Sequence, residues 1–172
     1  MAPNRRGMPG HGVEWNEQIS KDWGGQAMDD YISAIDALCK ESYVDDTRVG
    51  AVGASFGGYS AFQLAGMHNN RFKTFISHAG VFNLESMYGT PEELFFVNWD
   101  IGGPYWDKDN KAAQKSYAEF NPITNVGKWN TPMLIIQGAK DYRVPVGQSQ
   151  EAFQVLQQKG IKSRFVLFPE EN

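Results

Sequence analysis

The segment Gly53-Ala54-Ser55-Phe56-Gly57 constrains this chain more than any other. A short β-branched and apolar run, Arg48 to Val52, precedes it. Helical patterning through Tyr59, Phe62 and Leu64 follows, from Gly57 to about Met67. A strand that turns into a helix through Gly-x-Ser-x-Gly needs a sharp, strained turn, which lifts the serine hydroxyl above the end of the strand. Gly53 and Gly57 carry no Cβ, so neighbouring groups can pass close by. The Phe56 amide can then face the oxygen on which charge develops when a carbonyl is attacked, with the positive end of the helix behind it. Ser55 reads as a nucleophile and Phe56 as an oxyanion-hole donor. The alternative is a Gly-rich turn in which Ser55 only caps the helix.

The rest of the pattern fits an open α/β architecture. Residues 1–25 are rich in Gly and Pro and read as loop. Met28, Tyr31, Ile32, Ile35 and Leu38 recur at helical spacing from Gln26 to about Glu41. Val44-Asp45-Asp46 reads as a turn, and Phe72 to Ser77 as a strand. Pro132 to Gln137 is a continuous apolar run, the pattern of a strand buried on both faces. An amphipathic helix from Gly147 to Lys159 ends at Gly160, a helix-ending glycine, and Lys162 to Phe168 forms a last strand. Strands alternating with helices predict a mostly parallel sheet with helices on both faces. Residues 83–129 are irregular and predict short helices packed over the sheet, not a separate domain. The 172 residues, 41% hydrophobic, suffice for one domain with a packed core.

Composition excludes several functions. A net charge of −4 and the lack of any Lys/Arg-rich run argue against nucleic-acid binding. No stretch approaches the roughly 20 apolar residues of a membrane span. The start, Met1 to Arg6, has no apolar run behind its charges and does not read as a signal peptide. Cys39 is the one cysteine, so no intrachain disulfide can form, and its apolar helical context reads as burial. His11, His68 and His78 lack metal-ligand spacing with it, and no metal or organic cofactor is expected. The acidic pairs Asp29/Asp30, Glu92/Glu93 and Glu170/Glu171 read as solvated rather than as glycosidase carboxylates.

Motifs along the whole chain carry a resemblance. They are Asn4-Arg5-Arg6-Gly7 with Pro9-Gly10, Trp23-Gly24-Gly25, Val44-Asp45-Asp46-Thr47-Arg48-Val49, Gly53 to Tyr59, Gly80-Val81-Phe82-Asn83-Leu84, Gly138 to Pro145, and Phe168-Pro169-Glu170-Glu171-Asn172. In this order they resemble the catalytic domain of the prolyl oligopeptidase family of serine peptidases, in its dipeptidyl peptidase and acylaminoacyl peptidase branches. The resemblance implies an α/β-hydrolase fold, a peptide substrate and a Ser-Asp-His triad. Ser55 matches the nucleophile and Asp141 the acid. Asp141 also stands just past a buried strand, at the end where active-site groups of open α/β sheets gather, although a turn aspartate is the plainer reading of that position alone. The resemblance further implies that Val81, Leu84 and Met87, with Phe56 and Val144 nearby, line the pocket for the side chain before the scissile bond. Ordinary core packing is the other reading of each. Arg143 matches a loop arginine that binds a carboxylate or backbone carbonyl, or it merely pairs with a surface acid.

One member of the triad is missing. The histidine of this fold follows the acid in the chain, yet all three histidines precede Asp141. His68 reads as a surface or helix-capping residue. His78, after the Phe72–Ser77 strand, is near the site but wrongly placed in the chain. By the resemblance, the histidine comes directly after Asn172. A propeller domain, and strands carrying a tyrosine that supplies the second oxyanion donor, precede Asn4. The expectation is a partial catalytic domain, truncated at both ends and inactive alone. One edge of the Arg48–Val52 strand then lacks its partner, which predicts self-association, for example as a homodimer. Two other functions fit the same residues: a non-catalytic binding module that lacks the histidine, or a carboxylesterase.

Overall fold

The computed structural model describes all residues, Met1–Asn172. In chain order the elements are α1 (Val13–Glu17), α2 (Gln26–Leu38), β1 (Gly50–Ala54), α3 (Phe56–Ala65), β2 (Thr74–His78), α4 (Leu84–Gly89), α5 (Leu94–Ile101), α6 (Lys111–Glu119), β3 (Met133–Gly138), α7 (Val146–Gln158) and β4 (Ser163–Phe168). Short 3-10 turns occupy Asp46–Arg48 and Pro122–Lys128. The residues form two compact units.

The first unit holds Met1–Asp46 and Leu94–Phe120, hence α1, α2, α5 and α6. In α2, Ala27, Met28 and Ile35 are buried, as the helical spacing requires. The Asp22 carboxylate accepts from the Gln26 N–H at 2.8 Å, so the helix start is satisfied from outside the helix. Arg6 grips Asp30 through Nε and Nη2 and also donates its backbone N–H to that carboxylate. These hydrogen bonds hold the Asp30 carboxyl below its ordinary pKa and raise that of Arg6. The loop expected over residues 1–25 contains α1, whose Trp15 donates its indole N–H to the Arg5 carbonyl at 3.0 Å. That anchor lies ten residues away and leaves no periodic trace in the sequence. The predicted helix to about Glu41 stops earlier, with Cys39 as the C-cap of α2, half-buried rather than buried.

The second unit, Thr47–Glu93 and Asn121–Asn172, holds the sheet. All three strand pairings are parallel, and the spatial order is β1-β2-β3-β4. The predicted parallel α/β sheet is present, but β3, expected to be buried on both faces, is fully buried on one, with Leu134 and Ile136 only half-buried on the other. Its first strand starts two residues later than expected, because Asp46–Arg48 takes a 3-10 turn and pairing begins at Gly50 opposite Thr74.

Register puts Gly53, Ser77 and Ile135 on one face, and strand alternation adds Phe75, Met133 and Gln137 to it. Both α3 and α7 lie there. The Ser77 hydroxyl donates to the Gly58 carbonyl of α3, and the Ser149 hydroxyl of α7 donates to Gln137. Right-handed crossovers that advance in one direction across a sheet place their helices on one face. The core beneath them joins Phe62 and Trp129, stacked with centroids 5.7 Å apart, to Phe82. At the end of α7 the N–H groups of Gly160 and Ile161 donate to Gln157 and Leu156, with Gly160 at φ +67°, a left-handed cap that glycine adopts without steric cost.

Candidate active site

Ser55 sits at the junction of β1 and α3 with φ 55° and ψ −117°, a conformation that costs a non-glycine residue about 1–3 kcal/mol. Its side chain is exposed and makes no cap hydrogen bond to the helix. An N-cap serine has extended backbone and spends its hydroxyl on the second or third helical amide. Ser55 does neither, so the turn holds the hydroxyl outward at the C-terminal edge of the sheet. The backbone holds this shape through Ser55 N–H to the His78 carbonyl, 2.9 Å, and Tyr59 N–H to the Ser55 carbonyl, 2.9 Å.

The close approach runs through Gly53. A Cβ there would come within 2.4 Å of the carbonyl of Gly57. Gly57 itself needs no such exemption, since a Cβ on it meets nothing within 4 Å. The second tight position is Gly58, where a Cβ would lie 2.6 Å from the Gly80 Cα. The reading that gave Gly57 this role is corrected to Gly58. Phe56 opens α3, so its amide belongs to the first turn, whose N–H groups have no intrahelical acceptor.

Asp141 lies in the turn after β3, beyond Gly138. Its Oδ1 accepts from the N–H groups of Arg143 and Val144 at 3.0 and 2.8 Å, and its Oδ2 from Gln137 Nε2 at 3.3 Å. The turn thus immobilises the carboxylate at the same sheet edge as Ser55. The strands carrying the two residues flank β2, so they stand about 10 Å apart. A triad needs one imidazole to bridge the two by hydrogen bonds.

No histidine of this chain does so. His78 lies at the end of the intervening strand, opposite Ala54 and Ile136, but its ring bonds neither Ser55 nor Asp141. His68, read as a surface or helix-capping residue, is buried. Its Nδ1 accepts from the Phe72 N–H at 3.1 Å, its Nε2 lies 3.1 Å from the Thr131 hydroxyl, and its ring packs on Phe72 and Phe75. Burial, with Arg71 and Lys73 nearby, lowers its pKa.

A cavity of about 400 Å³ lies beside the acid, lined by Glu92, Lys140, Asp141, Tyr142, Arg143 and Asn172. Arg143 pairs with Glu93 at 2.7 Å and Glu92 at 3.7 Å. The backbone N–H of Glu92 donates to the Tyr142 carbonyl. The chain passes from β4 back to this turn, with Ala139 N–H bonded to the Phe168 carbonyl and Lys140 N–H to that of Glu171, both at 2.9 Å.

Val81, Leu84, Met87 and Val144 are at most 4% exposed. The loop that carries Val81 and the start of α4, which carries Leu84 and Met87, are pinned by α7. Gln148 Oε1 accepts from the N–H groups of Phe82 and Asn83, both at 2.8 Å, while Glu151 accepts from Asn83 and Ser86. Asn121 accepts from the Leu84 N–H. Gln148, Glu151, Asn121 and Gln137 escaped the sequence reading, since isolated amides and acids on a helix or strand carry no motif. No group of three His, Cys, Asp or Glu side chains is placed to hold a metal ion, and no helix is long and apolar enough to cross a membrane.

Comparison with known proteins bears on the family and the fold. Dipeptidyl-peptidase 5 of Porphyromonas gingivalis is 54% identical over 172 residues, which is 100% of this chain and 25% of that protein. Dipeptidyl-peptidase 5 of Porphyromonas endodontalis is 51% identical over 170 residues, covering 99% of the chain and 24% of that protein. The uncomplexed acylaminoacyl peptidase of Pyrococcus horikoshii superposes with a TM-score of 0.87 at 25% identity, covering 97% of this chain and 27% of that one. The chain therefore spans about a quarter of the length of these relatives. The sequence pattern of the prolyl oligopeptidase family matches residues 1–172, and the fold is that of the α/β-hydrolase peptidases. By that match over its whole length, the chain belongs to the prolyl oligopeptidase family.

Proposed function

We propose that the protein containing this chain is a serine peptidase of the dipeptidyl or acylaminoacyl peptidase type. The carrying observation is Ser55: a strained, outward-facing serine at a strand-to-helix turn, in a chain of this family. In this reading its Oγ attacks the peptide carbonyl and forms an acyl-enzyme that water then hydrolyses. The Phe56 amide stabilises the oxyanion. Asp141 holds a histidine in the right tautomer and stabilises its charged form.

That histidine enters, in the same proposal, from a residue shortly after Asn172. A Cβ on Gly138 would lie 2.7 Å from the Asn172 carbonyl carbon, which favours entry of the next residues beside Asp141. Val81, Leu84, Met87 and Val144 then floor an apolar pocket for the acyl side chain, and Arg143 offers its remaining donors to a substrate carbonyl or carboxylate. The 172 residues alone turn over negligibly, because loss of a triad member costs about four to six orders of magnitude. They associate through the open edge of β1; a monomeric mass in sedimentation refutes that.

Fluorophosphonate labelling tests the assignment. The full-length protein labels at Ser55, and Ser55→Ala and Asp141→Asn each abolish peptidase turnover. Rapid, stoichiometric labelling of the 172-residue chain by itself refutes the need for an added histidine.

A further inference from the structure

Gln137 is fully buried near the end of β3, on the face covered by α7. Its Nε2 lies 3.0 Å from the Val144 carbonyl, 3.3 Å from the Gly138 carbonyl and 3.3 Å from Asp141 Oδ2. Its Oε1 accepts from the hydroxyl of Ser149, equally buried, at 2.8 Å. These neighbours fix the orientation of the amide. Flipping it would set Oε1 against three oxygens, each an acceptor with no proton to give. The side chain therefore presents donors to the Asp141 turn and an acceptor to α7.

The consequence falls on one oxygen. Asp141 Oδ1 is engaged by two backbone N–H groups, from Arg143 and Val144. Oδ2 receives only the Gln137 N–H within this chain. A carboxylate oxygen accepts two hydrogen bonds, so Oδ2 keeps one direction open, and Gln137 determines which. We propose that Gln137, itself oriented by Ser149, is a positioning residue that aims Asp141 Oδ2 at the catalytic imidazole. The proposal rests on the reading of Asp141 as the triad acid. The charged groups on the turn after β3 and on α7 are Asp141 itself, Lys140 paired with Glu170, Arg143 paired with Glu93 and Glu92, and Glu151, bonded to Asn83 and Ser86.

The test uses the full-length protein and steady-state hydrolysis of a dipeptide anilide. Gln137→Met keeps the volume and removes the donor. It is expected to lower kcat about tenfold to a hundredfold, the worth of one hydrogen bond to a charged group, with KM changed less than about twofold. Gln137→Glu turns the donor into an acceptor beside Asp141. Burial and that like charge raise the pKa of the new carboxyl, so it gains a proton, and with it a donor, as pH falls. The ratio of variant to parent kcat is therefore expected to rise from about pH 8 to about pH 6. Unchanged kcat in both variants overturns the proposal. So does a deficit in Gln137→Glu that is the same across that range, since a packing defect has no such pH dependence. Should Gln137→Met fail to melt cooperatively, Ser149→Ala carries the test, with a smaller drop in kcat expected and no drop counting against. If Asp141→Asn leaves kcat intact, the assignment of the acid fails instead, whatever the Gln137 variants do.

Discussion

The backbone N–H of Ser55 donates to the carbonyl oxygen of His78 at 2.9 Å. The strained turn is thus tied to the neighbouring strand, and β2 shares the burden of keeping φ at 55°. Ser55→Gly relieves the strain and is expected to raise stability by about 1 kcal/mol while abolishing fluorophosphonate labelling. Thermal melting of the purified variant checks this, and a lowered transition refutes it.

Gly53→Ala places a methyl group 2.4 Å from the Gly57 carbonyl. Backbone faces backbone there, so no side chain can swing aside. The expected loss is about 1–3 kcal/mol, with slower labelling of Ser55 as the turn shifts. Gly57→Ala is the control. It meets nothing within 4 Å, and denaturant melts should find it near the parent.

His68 predicts a pH dependence. Its Nδ1 accepts from the Phe72 N–H, so the proton sits on Nε2 and is donated to Thr131, whose hydroxyl bonds Asn130. Burial lowers its folded pKa below the ordinary value of about 6.5. The unfolded chain then binds the proton first as pH falls. Stability is complete above about pH 6.5, declines below it, and levels once pH passes the folded pKa. His68→Asn keeps an acceptor near Nδ1 but cannot titrate, so melting between about pH 5 and 8 should show a flatter profile. A profile identical to the parent's refutes the assignment.

Asp100 predicts the opposite slope. Burial raises its carboxyl pKa, offset only in part by the Ser20 hydroxyl, which donates to it at 3.1 Å. The folded state then holds the proton more tightly than the unfolded chain. The contribution is favourable at low pH and is lost as pH rises from about 3.8 through the folded pKa. Asp100→Asn, neutral at every pH, should raise the melting temperature at neutral pH and lose that advantage in acid. Equal melting of the two proteins at pH 7 counts against it.

The site was legible in the sequence where its parts are close in the chain. Ser55 and Phe56 follow from five adjacent residues between a strand and a helix. Asp141 could be placed past a buried strand, but its role needed the family resemblance, because a turn aspartate has no signature of its own. Gln137 could not be found. At the end of an apolar run it looks like a strand terminus, and only the turn after β3 and the return of α7 bring Asp141 and Ser149 to it. His68 was misplaced for the same reason. Thr131, which covers its ring, lies 63 residues further on. The parallel sheet was read from the alternation of strands and helices, but the strand order was not, because that alternation does not say on which side of its neighbour each strand adds. The short helix α1, held through Trp15 by Arg5 and Gly7, was not read either.

The strands stand in space in the order in which they occur in the chain, β1-β2-β3-β4. A ribosome releases them in that same order. Each strand after the first therefore pairs with one synthesised before it, and none of the four inserts between two earlier ones. The segments that tie the Ser55 turn, namely β1, α3 and the His78 carbonyl, are all synthesised before the turn of Asp141. Everything that bends the serine therefore stands earlier in the chain than the turn that holds the carboxylate.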